Sequence, residues 1–110
     1  MSDLDSDWHL VGPANELEEE DVMPFDHNGH EYAIFHTVDG FFAGDGMCTH
    51  EAEPLADGIV IDNVIECPLH QGRFDVRSGK ALSAPVCVDL KTFAVQIHHN
   101  TIYIQIPKQP

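Results

Sequence analysis

Two cysteines and two histidines stand in mixed pairs within the stretch MCTHEAEPLADGIVIDNVIECPLHQGRF. One residue separates Cys48 from His50, two separate Cys67 from His70, and sixteen lie between the pairs. Thiolate and imidazole together suit zinc or iron. Structural zinc commonly takes a cysteine pair from one place and a histidine pair from another, because four ligands converge on one ion. Here each segment supplies one ligand of each type. That suits a binuclear target, with both thiolates on one metal and both imidazoles on the other. One such residue alone reads more simply as a buried thiol or a surface imidazole; four in this pattern favour ligation. A structural Cys2His2 zinc module is the rival reading.

Two short segments reach one place only if turns flank each of them. Trp8 to Val11 reads as a first strand, ended by Gly12-Pro13, and ANELEEED as one helical turn dispersing into solvent. Val22 to Asp26 and Glu31 to Val38 flank Asn28-Gly29, a strong two-residue hairpin signal. Asp39-Gly40 turns the chain into Phe41 to Ala43. Ile59 to Ile61 and Val64 to Glu66 flank Asp62-Asn63, a second hairpin leading directly into Cys67. Phe93, Val95 and Ile97 alternate with smaller or polar residues, and Ile102, Ile104 and Ile106 repeat that period after a turn at His98 to Asn100. No long stretch has helical periodicity. The expected fold is all-β, a small antiparallel sandwich or barrel in which two loops build the metal-binding part.

The chain has 110 residues, enough for one domain over 1–110 with a modest core. Five basic residues against nineteen acidic ones leave a net charge of −14, which argues against nucleic acid and anionic membranes as partners. No apolar run approaches the roughly 18 residues that cross a bilayer. The N-terminal MSDLDSDW lacks the basic and apolar regions of a secretory signal. Three cysteines do not close a disulfide framework, and their context points to metal binding in a reducing compartment. The cytoplasm is the expected location.

The boxes CTH (Cys48, Thr49, His50) and CPLH (Cys67, Pro68, Leu69, His70) resemble those of the Rieske family, whose [2Fe–2S] centre has two cysteines on one iron and two histidines on the other. The resemblance implies that Cys48 and Cys67 hold the inner iron and that His50 and His70 hold the outer one. It implies one cluster per chain, within a part spanning about 44–86. Ala84-Pro85 matches the family's third, proline-bearing loop. ECPLHQGRFDVRSGKAL, APV and LKTFAV look most like Rieske-type ferredoxins of aromatic-ring-hydroxylating dioxygenase systems, the naphthalene and salicylate types above all. Such ferredoxins are soluble electron carriers rather than enzymes. The implied partners are a flavoprotein ferredoxin reductase and a terminal oxygenase, with the carrier a monomer when free. The alternative is a Rieske small subunit of a larger reductase, such as the nitrite reductase type.

Respiratory Rieske proteins carry an extra cysteine in each loop; Glu53 and Leu69 stand there in this chain. Gly72 and Phe74 replace the sulfide-bonding serine and the nearby tyrosine of that type. Fewer hydrogen bonds to the cluster imply a potential towards the low end of the Rieske range, near about −150 mV. Cys87 has no histidine at a usable spacing and reads as a buried thiol. His98 and His99 read as solvated turn residues, and His9, His27, His30 and His36 have no motif around them. Arg73 reads equally as a docking residue or as half of a surface ion pair. The acidic run from Glu16 to Asp21 reads as a solvated segment before a docking patch.

Overall fold

The computed structural model describes residues 7–49, 53–68, 72–83 and 88–107. The all-β expectation holds. The strands are β1 (Trp8–Pro13), β2 (Asp21–His27), β3 (His30–Thr37), β4 (Gly40–Asp45), β5 (Ile59–Ile61), β6 (Val64–Glu66), β7 (Arg73–Asp75), β8 (Ala81–Ser83), β9 (Thr92–Phe93), β10 (Val95–His98) and β11 (Thr101–Gln105). They form three antiparallel sheets, ordered β1-β11-β10, β2-β3-β4-β9 and β5-β6-β7-β8.

Local backbone chemistry explains the tight connections. Asn28 (φ 52°) and Gly29 (φ 80°) both take the left-handed conformation that a two-residue hairpin turn requires, and they join β2 to β3 in register from His27↔His30 to Asp21↔His36. His99 (φ 50°) and Asn100 (φ 60°) do the same between β10 and β11. β1 continues through Gly12 and Pro13, past its expected end, after a register shift between Leu10 and Gly12. A proline is tolerated there because β1 lies at a sheet edge.

Two features depart from the sequence reading. Phe93, Val95 and Ile97 do not share a strand: β9 pairs with β4, whereas β10 pairs with β11 in another sheet. The chain changes sheets at Ala94, and the period of two runs on across the break. The segment after the second ligand box also contains β7 and β8, which extend the β5–β6 hairpin to a four-stranded sheet. Val76 and Gly79 lie in their connection; Gly79 has φ 81°, and its carbonyl accepts the Leu90 N–H at 2.6 Å.

The buried side chains form two clusters. Ile34, Ala43, Ile102 and Ile104 are among those that join the first two sheets. Phe35, Leu55, Val60, Ile65, Phe74, Val76 and Leu90 fill the space between the second and third sheets, together with Cys48 and Cys67.

Candidate metal centre

Cys48 follows β4 and Cys67 follows β6. Cys48 is 5% exposed and Cys67 2% exposed, and both belong to one apolar cluster. The two segments close in the same way. The Cys48 N–H donates to the Glu53 carbonyl at 2.9 Å, and the Cys67 N–H donates to the Gly72 carbonyl at 2.7 Å. Each cysteine therefore opens a loop pinched five residues later. Glu53, standing where a respiratory protein has a cysteine, thus closes its loop through its backbone.

Further bonds position the loops. Met47 bridges Pro54, the Leu55 N–H donates to the Gly46 carbonyl at 2.8 Å, and the Gly46 N–H donates to the Glu31 carbonyl at 2.9 Å. A Cβ at Gly46 would lie 2.6 Å from the Glu31 carbonyl oxygen, so only glycine lets this segment approach β3 so closely. The Thr49 hydroxyl donates to the Val88 carbonyl at 2.7 Å, tying the first loop to the chain ahead of β9.

A polar clamp fixes the far end of the third sheet. Thr37, 1% exposed, donates its hydroxyl to Asn63 Oδ1 at 2.7 Å. Asn63 Nδ2 donates to Asp39 Oδ2 at 2.7 Å, and the Asn63 carbonyl accepts the Val76 N–H at 2.8 Å. Arg77 pairs with Asp75 at 2.9 Å and reaches Asp39 at 3.6 Å. Its hydrogen bond holds the Asp75 carboxyl below the usual carboxylate range. Glu20, from the acidic run, accepts the Asp62 N–H at 2.8 Å, so one residue of that run is structural.

His50 and His70 lie outside the described residues, as do Leu69, Ala84-Pro85 and Cys87. Arg73 Nε lies 3.2 Å from Glu66 Oε1, an exposed ion pair. His36 Nδ1 lies 2.7 Å from the Leu17 carbonyl oxygen, and its ring stacks on Phe41. His9, His27 and His30, which carry no motif, line one cleft of about 810 Å³ with Asp45 and Lys91. The His9 and His27 ring centres are 4.1 Å apart. Burial, then the neighbouring His27, pushes the His9 pKa down. No sequence signal joins these histidines, which come from separate strands.

The donors fit an iron–sulfur group. Two buried thiols converge in one apolar cluster, from loops with matching closures, and thiolate is the soft ligand that iron in such clusters takes. Residues 7–94 match the family model of the Rieske [2Fe-2S] domain. The chain belongs to the Rieske [2Fe–2S] family. The zinc module suggested by donor types alone is thereby set aside.

This Rieske chain is 37% identical over 103 residues to the ferredoxin component of the naphthalene 1,2-dioxygenase/salicylate 5-hydroxylase systems of Ralstonia sp., covering 94% of this chain and 99% of that one. It is 42% identical over 99 residues to the ferredoxin component of a naphthalene 1,2-dioxygenase system of Pseudomonas aeruginosa, covering 90% of this chain and 95% of that one. Its fold superposes with a TM-score of 0.88 and 30% identity on a chain from a complex of reduced oxygenase and oxidized ferredoxin in carbazole 1,9a-dioxygenase, covering 94% of this chain and 97% of that one. Among the described residues, no helix of this Rieske chain is long and apolar enough to cross a membrane.

Proposed function

We propose that this chain is a one-electron carrier, not itself an enzyme. It takes an electron from a flavoprotein ferredoxin reductase and passes it to the terminal oxygenase of an aromatic-ring-hydroxylating dioxygenase system. The observation that carries the reading is the matched pair of loops that bury Cys48 and Cys67 in one apolar cluster. Near end-to-end similarity to ferredoxin components supports it over the nitrite reductase type.

In this reading Cys48 and Cys67 hold one iron, and His50 and His70 hold the other. When bound, the [2Fe–2S] group supplies a centre that accepts one electron and gives up one electron. The chain's own residues shape that centre. Leu55, Ile65, Phe74 and Leu90 wall the thiols off from water. The Thr49 hydroxyl keeps the first loop against residue 88. Residues 1–110 form one domain, with the ligand-bearing part at about 44–86, acting as a monomer in the cytoplasm.

The purified protein is expected to be red-brown, with two irons and two acid-labile sulfides per chain. On reduction it gives a rhombic paramagnetic signal, and the host's terminal oxygenase reoxidises it in stopped flow. Cys48→Ala, His50→Ala, Cys67→Ala and His70→Ala each abolish the colour, whereas Cys87→Ser keeps it. An axial signal of the all-thiolate type, or a colourless Cys87→Ser, would refute the ligand assignment. No electron passing to the oxygenase would refute the carrier role.

A further inference from the structure

The third sheet has two faces of opposite character. Val60, Ile65 and Phe74 point into the core, at 4%, 0% and 0% exposure. Alternation sends Ile59, Ile61, Val64, Glu66 and Arg73 to the other face. Ile59 and Ile61 are each 59% exposed, two residues apart on an edge strand. With Asp62, Val64, Glu66 and Arg73 they line a groove of about 240 Å³. A chain with nineteen acidic residues thus leaves an apolar groove open to water, and such a patch rimmed by polar groups marks a contact surface.

Charge decides what fits there. Arg73 is already paired with Glu66, and Arg77 at the neighbouring turn with Asp75. Among the described residues, Asp57 and Asp62 on either side of β5 have no ion pair. The rim is therefore acidic, its cations neutralised. A second copy would bring an acidic rim against an acidic rim and is disfavoured. A partner that presents an apolar side chain ringed by Lys or Arg is matched in both respects. The groove is also continuous with the ligand region: Glu66 precedes Cys67, and Arg73 follows Gly72, which closes the second loop.

We propose that this outer face of β5, β6 and β7 is a docking surface for the terminal oxygenase, which seats a basic-ringed apolar side chain between Ile59 and Ile61. The inference rests on the carrier reading and adds the surface that separates the oxygenase from the reductase. A chain of this fold is known from a complex of reduced oxygenase and oxidized ferredoxin, which favours the oxygenase as occupant of the flank, while in the carrier reading the edge of the ligand loops serves both partners. A carrier that must release each partner can hold the oxygenase by these few side chains without a large interface. β5 is only three residues long, which limits docking by strand addition and leaves side chains as the handle.

The test uses holo-protein and the host's terminal oxygenase, identified by its reoxidation of the wild-type ferredoxin. Ile59→Thr/Ile61→Thr removes the apolar ridge and keeps β-branching. Asp62→Asn removes the charge with a residue that tolerates the φ of 58° found there. The double variant is expected to raise the Kd for the oxygenase about tenfold, read from saturation of the electron-transfer rate. Asp62→Asn should raise it about twofold at low salt and not at high salt. Reduction by the flavoprotein reductase, and the redox potential, should not change. An unchanged Kd for the oxygenase would overturn the proposal, as would an equal loss of rate with both partners. Concentration-dependent dimerisation of the wild type that the double variant abolishes would overturn it too, by assigning the groove to a second copy. A wild-type protein that reduces no oxygenase would instead remove the carrier reading, and this inference with it.

Discussion

Strands β2, β3 and β4 run six to eight residues, and β3 alone buries Tyr32, Ala33, Ile34 and Phe35. The four strands of the third sheet have three residues each, and β5, β6 and β7 bury one side chain apiece in Val60, Ile65 and Phe74. Long strands with buried faces offset the entropy of ordering their backbone; three-residue strands with one buried side chain do so poorly. The third sheet relies on outside supports: the Thr37–Asn63–Asp39 clamp, the Leu90 strap on Gly79 and, in the proposed reading, the metal group. Sequence economy at the site therefore carries a cost in autonomy. The short-stranded half borrows its order from the long-stranded one.

Removing the iron should expose this contrast most strongly, because binding energy at the two loops, which flank β5 and β6, is folding energy for the short-stranded sheet. After chelation, amide exchange at Ile65 and Phe74 should quicken by at least about tenfold, while Ile34 and Phe35 stay protected. Equal loss in both halves would show one cooperative unit and erase the contrast.

Next in size is the clamp. Thr37→Val keeps the shape but leaves Asn63 Oδ1 without its donor, and the loss should be about 1–3 kcal/mol by urea unfolding. Thr101→Val, in β11, removes only an exposed 3.3 Å bond to the His99 carbonyl and should stay within about 0.5 kcal/mol. Similar losses at both positions would mean that the clamp has no special role.

The smallest effects separate the halves by pH. His9 has a lowered pKa, so its neutral form is favoured by folding. Its contribution is fully present above the unfolded value of 6.5 and is lost as pH falls through the folded value. Asp75 also has a lowered pKa. Its contribution is present above 3.8 and disappears as pH falls through the folded value beneath it. Thermal unfolding across pH 8 to 2 should show two small declines, the first flattened by His9→Asn and the second by Asp75→Asn. A single decline untouched by either variant would discard these assignments.

Much of this could be read along the chain. The hairpin turn at Asn28-Gly29 was legible because positive φ is a property of those residues themselves. So were the strands around it, through alternation, and the four proposed ligands, whose types and spacing limit the chemistry by themselves. β7 and β8 were not legible. Strands of three residues, with Ser78 and Gly79 in the turn between them, are too short to show a period, and they exist because β6 offers β7 a partner and β7 offers one to β8. The switch of sheets at Ala94 was hidden for the opposite reason: the alternation continues while the hydrogen-bonding partner changes. Thr37 and Asn63, 26 residues apart, and the cleft histidines, drawn from β1, β2 and β3, meet only once the strands pair. The sequence by itself determined which donors are present, where the chain turns and which strands alternate, since these follow from backbone preferences over a few residues. Only the tertiary structure decided that two cysteines share one apolar cluster and that Ile59 and Ile61 face water, because burial is settled by which distant segments pack together.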